Sequence, residues 1–413
     1  MRSLAAHSQF FRQSRETGFD LTDFEKETTL YVLEKAYAAA RYDLPEDFMS
    51  YEKFRDVCQN FEMSSSPGLP YCREASSIGE WLGYDGLTMD EGKVQRLWHD
   101  MWAFLDGNLE SVYRTFVKRE PHSKQKAREG RWRLIVVPPL FEQAANALVF
   151  GPGNDREIDT VGETPSMQGM FMCGGHWKWH KRLFESKGLN VSVDKRAWDW
   201  TAHIRLLELD LELRERLITS GPKTEWRRLA EKLFRQAFFH PKLMLSNGQV
   251  YQQLEPGIVK SGGVNTISTN SHCQLIAHVV ACIRAGRSVF PLPAAVGDDT
   301  LESEDNMVSP EEYATMGVQV KEKVHSLEFV GHKFLDTGPV PKYNSKHVMR
   351  YVSVKAKDIP AFLDSMVRLY AHDDDWQGFW RFLANRRGVA MPSPSFVKYW
   401  YDYPTEYLDR NWL

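Results

Sequence analysis

Long apolar runs are missing from this 413-residue chain, and cysteine is scarce. No segment approaches the ~18 to 20 apolar residues needed to cross a bilayer, and Met1 to Asp20 has no apolar stretch of signal-peptide length. The sequence therefore predicts a soluble chain without direct membrane insertion, one that only a bound partner could anchor. The five cysteines, Cys58, Cys72, Cys173, Cys273 and Cys282, are scattered, odd in number and never in C-x-x-C spacing. That argues against a disulfide framework and a zinc site, and fits a reducing compartment. Internal repeats, long linkers and low-complexity tracts are also absent, so one multi-part molecule is expected. Positive charge is not in excess either: 52 Lys and Arg against 55 Asp and Glu leave a net -3. By itself that balance does not point to a nucleic-acid partner.

What is present is unevenly placed. The 26% charged and 42% hydrophobic composition is ordinary for a folded protein of two or three domain-sized units. Between Arg114 and Arg133, however, eight cations (Arg114, Lys118, Arg119, Lys124, Lys126, Arg128, Arg131 and Arg133) face only Glu120 and Glu129, a local charge of 8 − 2 = +6. Tyr113, Phe116 and Trp132 are interleaved with them, a composition that suits phosphate and base contacts better than a plain solvated face.

Acids are equally localised. Asp298 and Asp299 follow Gly297, Asp194 closes the apolar run Leu189 to Val193, and a Ser261-Gly262-Gly263 segment lies between them. Joining nucleotides requires two divalent cations held close together, one to activate the attacking 3′-hydroxyl and one to carry the triphosphate. Magnesium prefers hard oxygen ligands and is usually tethered by one or two carboxylates besides substrate phosphates. Asp194 and Asp298 are the first-choice ligands.

Coarse patterning places these residues. Thr22-Asp23-Phe24-Glu25 opens a helix with Leu30, Leu33, Tyr37 and Ala40 on one face. Residues 62–72 form a polar loop broken by Pro and Gly. Val112 to Lys118 and Trp132 to Val137 read as strands with the basic segment as their connection. Thr266 through Ile283 is a buried helix, Gly297-Asp298-Asp299 a turn facing the strand end at Asp194, and Val318-Gln319-Val320 a strand. Ser326 to Leu335 alternates as a hairpin, and beyond Pro341 the chain is helical and rich in Trp and Tyr to its end. Asp373-Asp374-Asp375 reads as a solvated helix start, and Cys173-Gly174-Gly175-His176 lacks further ligands for a metal site.

Taken in order, these segments resemble the RNA-dependent RNA polymerases of positive-strand RNA viruses, most closely the sobemovirus-like group. Ser64-Ser65-Ser66-Pro67-Gly68-Leu69-Pro70-Tyr71 looks like the family's template motif, and Phe116 to His122 with Arg131 to Ile135 like the fingers motif over the incoming triphosphate. Asp194 and Asp199 match D-x4-D, Ser261 to Asn270 matches S-G-x3-T-x3-N, and Gly297-Asp298-Asp299 is the signature tripeptide. The resemblance implies an α+β right-handed polymerase with an antiparallel palm sheet flanked by helices. Its parts would be fingers with an N-terminal extension (1–187), palm (188–215), a fingers insertion (216–256), palm (257–338) and thumb (339–413).

The resemblance also implies roles. Asp194, Asp298 and Asp299 would serve two Mg2+ ions, with Mn2+ able to substitute, and Asp299 in support. Asp199 would read the ribose with Asn270, with Ser261 and Thr266 nearby. Lys118 and Arg133 would contact the NTP triphosphate, Glu120 would position one of them, and Arg131 would join them. Lys321 would donate a proton to pyrophosphate, preferred over Lys323 because it directly follows the Val318-Gln319-Val320 strand. Ser66, Pro67, Gly68, Lys124, Lys126, Gly262, Gly263, His332 and Lys333 would meet the RNA template and product. Other viral replication proteins or a genome-linked protein primer are implied partners, and host cytoplasm, at membrane-associated sites through partners, the implied location. The competing readings are a reverse transcriptase, disfavoured by Asn270 and by Gly297 before the paired aspartates, and a non-catalytic RNA-binding palm-fold protein, disfavoured because no catalytic carboxylate is missing.

Overall fold

Short strands, each bounded by turn residues, gather into four small sheets. The structure, a computed structural model, describes residues 1–404. The sheet carrying the acids is antiparallel, its strands ordered Val320–Val324, Leu189–Lys195, Asp299–Ser303 and Ala294–Val296. A second sheet runs Leu134–Val137, Val112–Val117, Lys242–Leu245 and Val250–Gln252, with its middle pair parallel. A three-stranded meander, Glu328–Phe329, His332–Leu335 and Gly338–Pro341, follows the acid-bearing sheet.

Two cores flank that sheet. One joins Leu30 and Leu33 of the N-terminal helix Asp23–Ala36 to Leu206, Leu207, Leu275, Ile276 and Ala295. The other sets Leu189, Ala294 and Leu301 against Phe184, Phe334, Val367 and Trp380. The central helix Thr266–Arg284 is buried from Ser268 to Cys282. Leu275, Ile276, Val279 and Val280 supply its apolar surface, while the buried polar residues Asn270, His272 and Gln274 each find hydrogen-bond partners. The expected capping box at Thr22 and Glu25 is formed, and Leu30, Leu33, Tyr37 and Ala40 are all buried.

Several boundaries differ from expectation. The basic connection is not an open loop: Ser123 accepts from the Lys126 amide and starts a helix, Lys124–Glu129, which Gly130 ends in the left-handed conformation. The strand after it starts at Leu134 rather than Trp132. The strand after Val318 starts at Val320, so Lys321 lies within it. Residues 62–72 end in a 3-10 turn, Tyr71–Arg73. The helix His176–Ser186 packs on the Leu189–Lys195 strand and the Gly338–Pro341 strand. Asp373 caps the helix Asp374–Arg386 by accepting from the Trp376 amide. The helices beyond Pro341 run to Asp402, and the end of that expected helical stretch, past Pro404, lies outside the described residues.

Candidate active site

Antiparallel register brings the acids together. Val193 pairs with Thr300, which sets Asp194 across from the turn carrying Asp298 and Asp299. Gly297 has φ +60 with open space where a side chain would stand, so glycine is needed there for backbone conformation rather than room. The turn is pinned to the central helix: the Gly297 amide donates to Ser271 Oγ (2.9 Å), and Gln274 donates to the Asp298 carbonyl (3.2 Å). Burial, followed by the charges of Asp298 and Asp194, pushes the Asp299 carboxyl up to about 6. Such mutual repulsion is relieved by a cation.

The strand bearing Lys321 has an irregular register between Val320 and Glu322, and the Lys321 ammonium pairs with the Asp194 carboxylate. That pairing raises its pKa, so it carries a proton. Lys323 is turned the other way, donating to the Val308 carbonyl. Below the acids, buried Lys195 reaches Thr300 Oγ1 (3.1 Å) and Glu302 (3.7 Å), and burial lowers it to about 8.

The donor set, three carboxylates and no sulfur or imidazole, fits hard cations such as magnesium. It is not a closed cage: among the described residues no three His, Cys, Asp or Glu side chains stand together to hold a metal by themselves. An ion retaining water and phosphate ligands needs no such cage.

Asp199 and Asn270 meet. Ala197, at φ +51, turns the chain into the short helix Trp198–Thr201, and Asn270 Nδ2 donates to Asp199 Oδ1 (2.9 Å) while accepting from the Trp198 indole (3.1 Å). Burial foremost, with Asp298 adding to it, pushes Asp199 up to about 6. Ser261 and Thr266 are engaged elsewhere: Ser261 donates to the Leu134 carbonyl (3.2 Å), and Thr266 to the carbonyls of Lys260 and Gly263. Their hydroxyls brace the Gly262-Gly263 loop and make no bond to Asp199 or Asn270.

Two glycines anticipated at RNA contacts have a packing reason to be glycine. A Cβ on Gly68 would stand 2.4 Å from the Pro138 carbonyl, and one on Gly262 would stand 2.6 Å from that of Val136. A Cβ on Gly263 would be less crowded, 3.2 Å from the Lys260 carbonyl. Ser66, beside Pro67, accepts from Arg114 (3.1 Å).

The fingers cations divide. Lys118 pairs with Glu120 (3.1 Å), as anticipated for that acid, and Arg131 pairs with Glu129 (2.8 Å) over the Phe10 ring. Arg133 is exposed, with its charge felt at Asp199, and Lys124 is exposed on its helix. Lys126 has its pKa lowered by burial and then by Arg131, Lys321 and Lys346, so cations from three separate stretches converge beside the acids. His332 Nδ1 donates to the Val330 carbonyl (2.8 Å) and its Nε2 has no partner, while Lys333 is exposed.

Sequence reasoning missed two supports. Arg15, on the first helix Arg2–Arg15, donates to the carbonyls of Ala202 (3.1 Å), Pro256 (3.4 Å) and Thr201 (3.5 Å). A Cβ on Gly257 would stand 2.2 Å from its guanidinium. Burial lowers Arg15 to about 10, still charged at neutral pH, so it clamps the C-terminal end of the Asp199 helix to the segment at Pro256. Arg15→Met is expected to speed amide exchange around 200–203 and 257–259 about tenfold, the equivalent of roughly 1.5 kcal/mol for a charged donor lost. Unchanged exchange there would refute the clamp.

The second support is a buried quartet. His272 bridges Asp210 (2.6 Å) and Glu157 (2.8 Å), while Arg214 pairs with Asp210 (3.0 Å) and reaches Asn154 and Ser268. It ties the helices Leu140–Asp159, Ile204–Leu217 and Thr266–Arg284 together. The only sequence signal was a set of ionisable residues on otherwise apolar helix faces.

Known proteins match this arrangement. A family model described as viral RNA-dependent RNA polymerase matches residues 39–329. Replicase polyprotein P2AB of Southern bean mosaic virus is 30% identical over 309 residues, covering 68% of this chain and 31% of that protein. The RNA-directed RNA polymerase of Mushroom bacilliform virus is 29% identical over 331 residues, 73% of this chain and 77% of the relative. Protein P1-P2 of Potato leafroll virus is 28% identical over 333 residues, and the match spans only 30% of its length. The solved sicinivirus 3Dpol RNA-dependent RNA polymerase superposes with a TM-score of 0.65 at 18% identity, covering 90% of this chain and 88% of that one, which establishes the right-handed polymerase fold expected above. By its sequence and the order of its motifs, this chain belongs to the viral RNA-dependent RNA polymerase family.

Proposed function

We propose that the chain copies viral RNA, transferring nucleoside monophosphate from NTPs to an RNA 3′ end and releasing pyrophosphate. The observation that carries this reading is the Asn270–Asp199 hydrogen bond (2.9 Å) beside the acids Asp194, Asp298 and Asp299. Asp194 and Asp298 would hold two magnesium or manganese ions, Asp299 supporting them. When bound, these ions would activate the 3′-hydroxyl and neutralise the triphosphate.

The remaining work falls to the chain. Arg133, Lys118 and Arg131 orient the phosphates, Arg133 with the planar fork that suits phosphate oxygens. Lys321, protonated against Asp194, is the proton source for the departing pyrophosphate, a role Lys323 does not share because its ammonium is bound to Val308. Ser66, Pro67, Gly68, Lys124, Lys126, Gly262, Gly263, His332 and Lys333 would border the template and product.

We assign residues 188–215 and 257–338 to the palm, 1–187 and 216–256 to the fingers, and the stretch from 339 to the thumb. In that division the helices Asp23–Ala36 and His176–Ser186 pack on palm elements. Relatives named as polyproteins support partnership with other viral replication proteins; a genome-linked protein primer and a location in the host cytoplasm belong to the same proposal. Among the described residues no helix is long and apolar enough to cross a membrane, so attachment to membranes would come from such partners.

The test is sugar choice. A site that hydrogen-bonds a hydroxyl penalises a substrate lacking it, because its buried polar groups are left unpaired. Template-directed incorporation in magnesium should favour ATP over dATP, and Asn270→Ala or Asp199→Ala should lower that kcat/KM ratio by about tenfold, mainly by slowing ATP use. A ratio unchanged in both variants would overturn the ribose-reading pair and favour a reverse transcriptase.

A further inference from the structure

The helix His176–Ser186 carries a pattern that nucleotide transfer leaves unused: Trp177-Lys178-Trp179-His180-Lys181-Arg182 interleaves aromatic and basic side chains without a carboxylate. Beside this helix there is a cleft of about 370 Å³, bordered by Phe171, His176, Trp179, His180 and Pro404, the last of these two residues past the helix Pro394–Asp402. The cleft shares no residue with the active site, and its size lies within the range of small-ligand sites.

Its aromatic surfaces are exposed yet fixed. Trp179 is 46% exposed, and its ring lies directly on Gly162, where a Cβ would stand 1.9 Å away. The rings of Phe171 and His176 are 3.9 Å apart. Tyr399 and Tyr403, 55% and 52% exposed, stack at 5.3 Å with planes 24° apart, and Lys178 Nζ lies 4.5 Å from the Tyr403 ring. The Asp402 carboxylate between the two helices is engaged by Trp177 and His372.

His180 is 1% exposed, and its ring nitrogens are enclosed, with the Phe171 backbone close to one of them. Burial pushes its pKa down to about 4, so the ring is neutral and forms part of the cleft wall.

We infer that this cleft and the surface beside it form a second binding site for single-stranded RNA, in which Trp179 stacks a base at the cleft, the neighbouring Tyr399–Tyr403 pair stacks another, and Lys178 and Arg182 on the same helix as Trp179 meet phosphates. Stacking surfaces combined with cations are how strands are held without sequence preference. Of the three cations in these six residues, Lys181 is paired with Asp336 (2.6 Å) and Glu185 (3.5 Å), which leaves Lys178 and Arg182 to meet a polyanion. Only the nature of the strand rests on the function proposed above.

The experiment fills the active-site channel first. A stalled elongation complex on a primed template is titrated with a fluorescent, unstructured seven-nucleotide RNA, and binding is followed by anisotropy. Wild-type complexes should bind one further oligonucleotide, more weakly as salt rises. Trp179→Ala with Tyr403→Ala should weaken that binding at least tenfold while extension of the preannealed primer stays within twofold. Arg182→Glu, which removes no aromatic packing, should weaken it as well. No second oligonucleotide on the stalled complex, or equal binding by these variants, would overturn the site. If the chain does not polymerise, the same titration of free protein still compares wild type with variants, so the two readings fail separately.

Discussion

Asp298→Ala is expected to cut nucleotide incorporation by about 10³-fold or more, roughly 4 kcal/mol of transition-state stabilisation, while leaving the protein folded. The expected separation of activity from stability follows from the geometry. Asp298 stands beside Asp299, whose carboxyl burial and neighbouring charge push up to about 6. Removing one of these charges relieves repulsion in the metal-free protein, so the melting temperature should be equal or slightly higher and the Asp299 carboxyl should titrate lower. Asp194→Ala should lose activity alike, and would also free Lys321 from its ion pair. Activity of Asp298→Ala within tenfold of wild type in magnesium would remove the basis for the carboxylate assignment.

His272→Ala should be the most destabilising single change, at about 3 to 5 kcal/mol, because breaking a buried ion pair leaves an uncompensated charge. Arg214 would still serve Asp210, but Glu157 would be left with weaker company from Ser166 and Arg214. Although burial opposes it, Glu157 and Asp210 raise the His272 imidazole to about 9 from the ordinary 6.5. A raised basic pKa means the native state holds this proton more tightly than the unfolded chain does. The stabilisation is therefore complete below about pH 6.5 and fades as pH rises through 9. Asp210 has the opposite sign: lowered to about 2 from 3.8, despite burial, its contribution is present above 3.8 and fades as pH falls through 2. Urea denaturation across this range should show the gap between wild type and His272→Ala widest between about pH 4 and 6.5 and narrowing as pH rises through 9. A gap independent of pH would mean that packing, not charge, accounts for the loss.

How much of this was legible depended on how local each determinant is. The Gly297 turn is encoded by three consecutive residues, and Thr22 with Glu25 caps a helix within four. Asp199 and Asn270, 71 apart in sequence, could be joined only through resemblance to a family. The supports had no such signal. Arg15 reaches a carbonyl 241 residues away, and His272 meets Glu157 across 115. Each of these side chains alone is an ordinary charged or polar residue. Lys321 could be preferred from its place after an apolar run, but its aim depends on a register irregularity that pairing with the neighbouring strand creates. Ser261 and Thr266 were grouped with the ribose readers by position, whereas the nearest acceptors for their hydroxyls are backbone carbonyls. The basic segment's helix was obscured because its Ser123 cap and Gly130 stop also suit a loop.

The contacts of Gly68 and Gly262 with the strand end at Val136 to Pro138 have a mechanical consequence. Two loops far apart in the chain rest on the carbonyls of Pro138 and Val136 at one strand end, and neither glycine has a side chain that could yield like a cushion. Displacement of that strand end by a fraction of an ångström is passed to both loops at once, in the same direction, as through a common axle. Genetic reversion should reflect this gearing: a defect caused by Gly262→Ala would be corrected by substitutions around 136–139, and those should also correct Gly68→Ala.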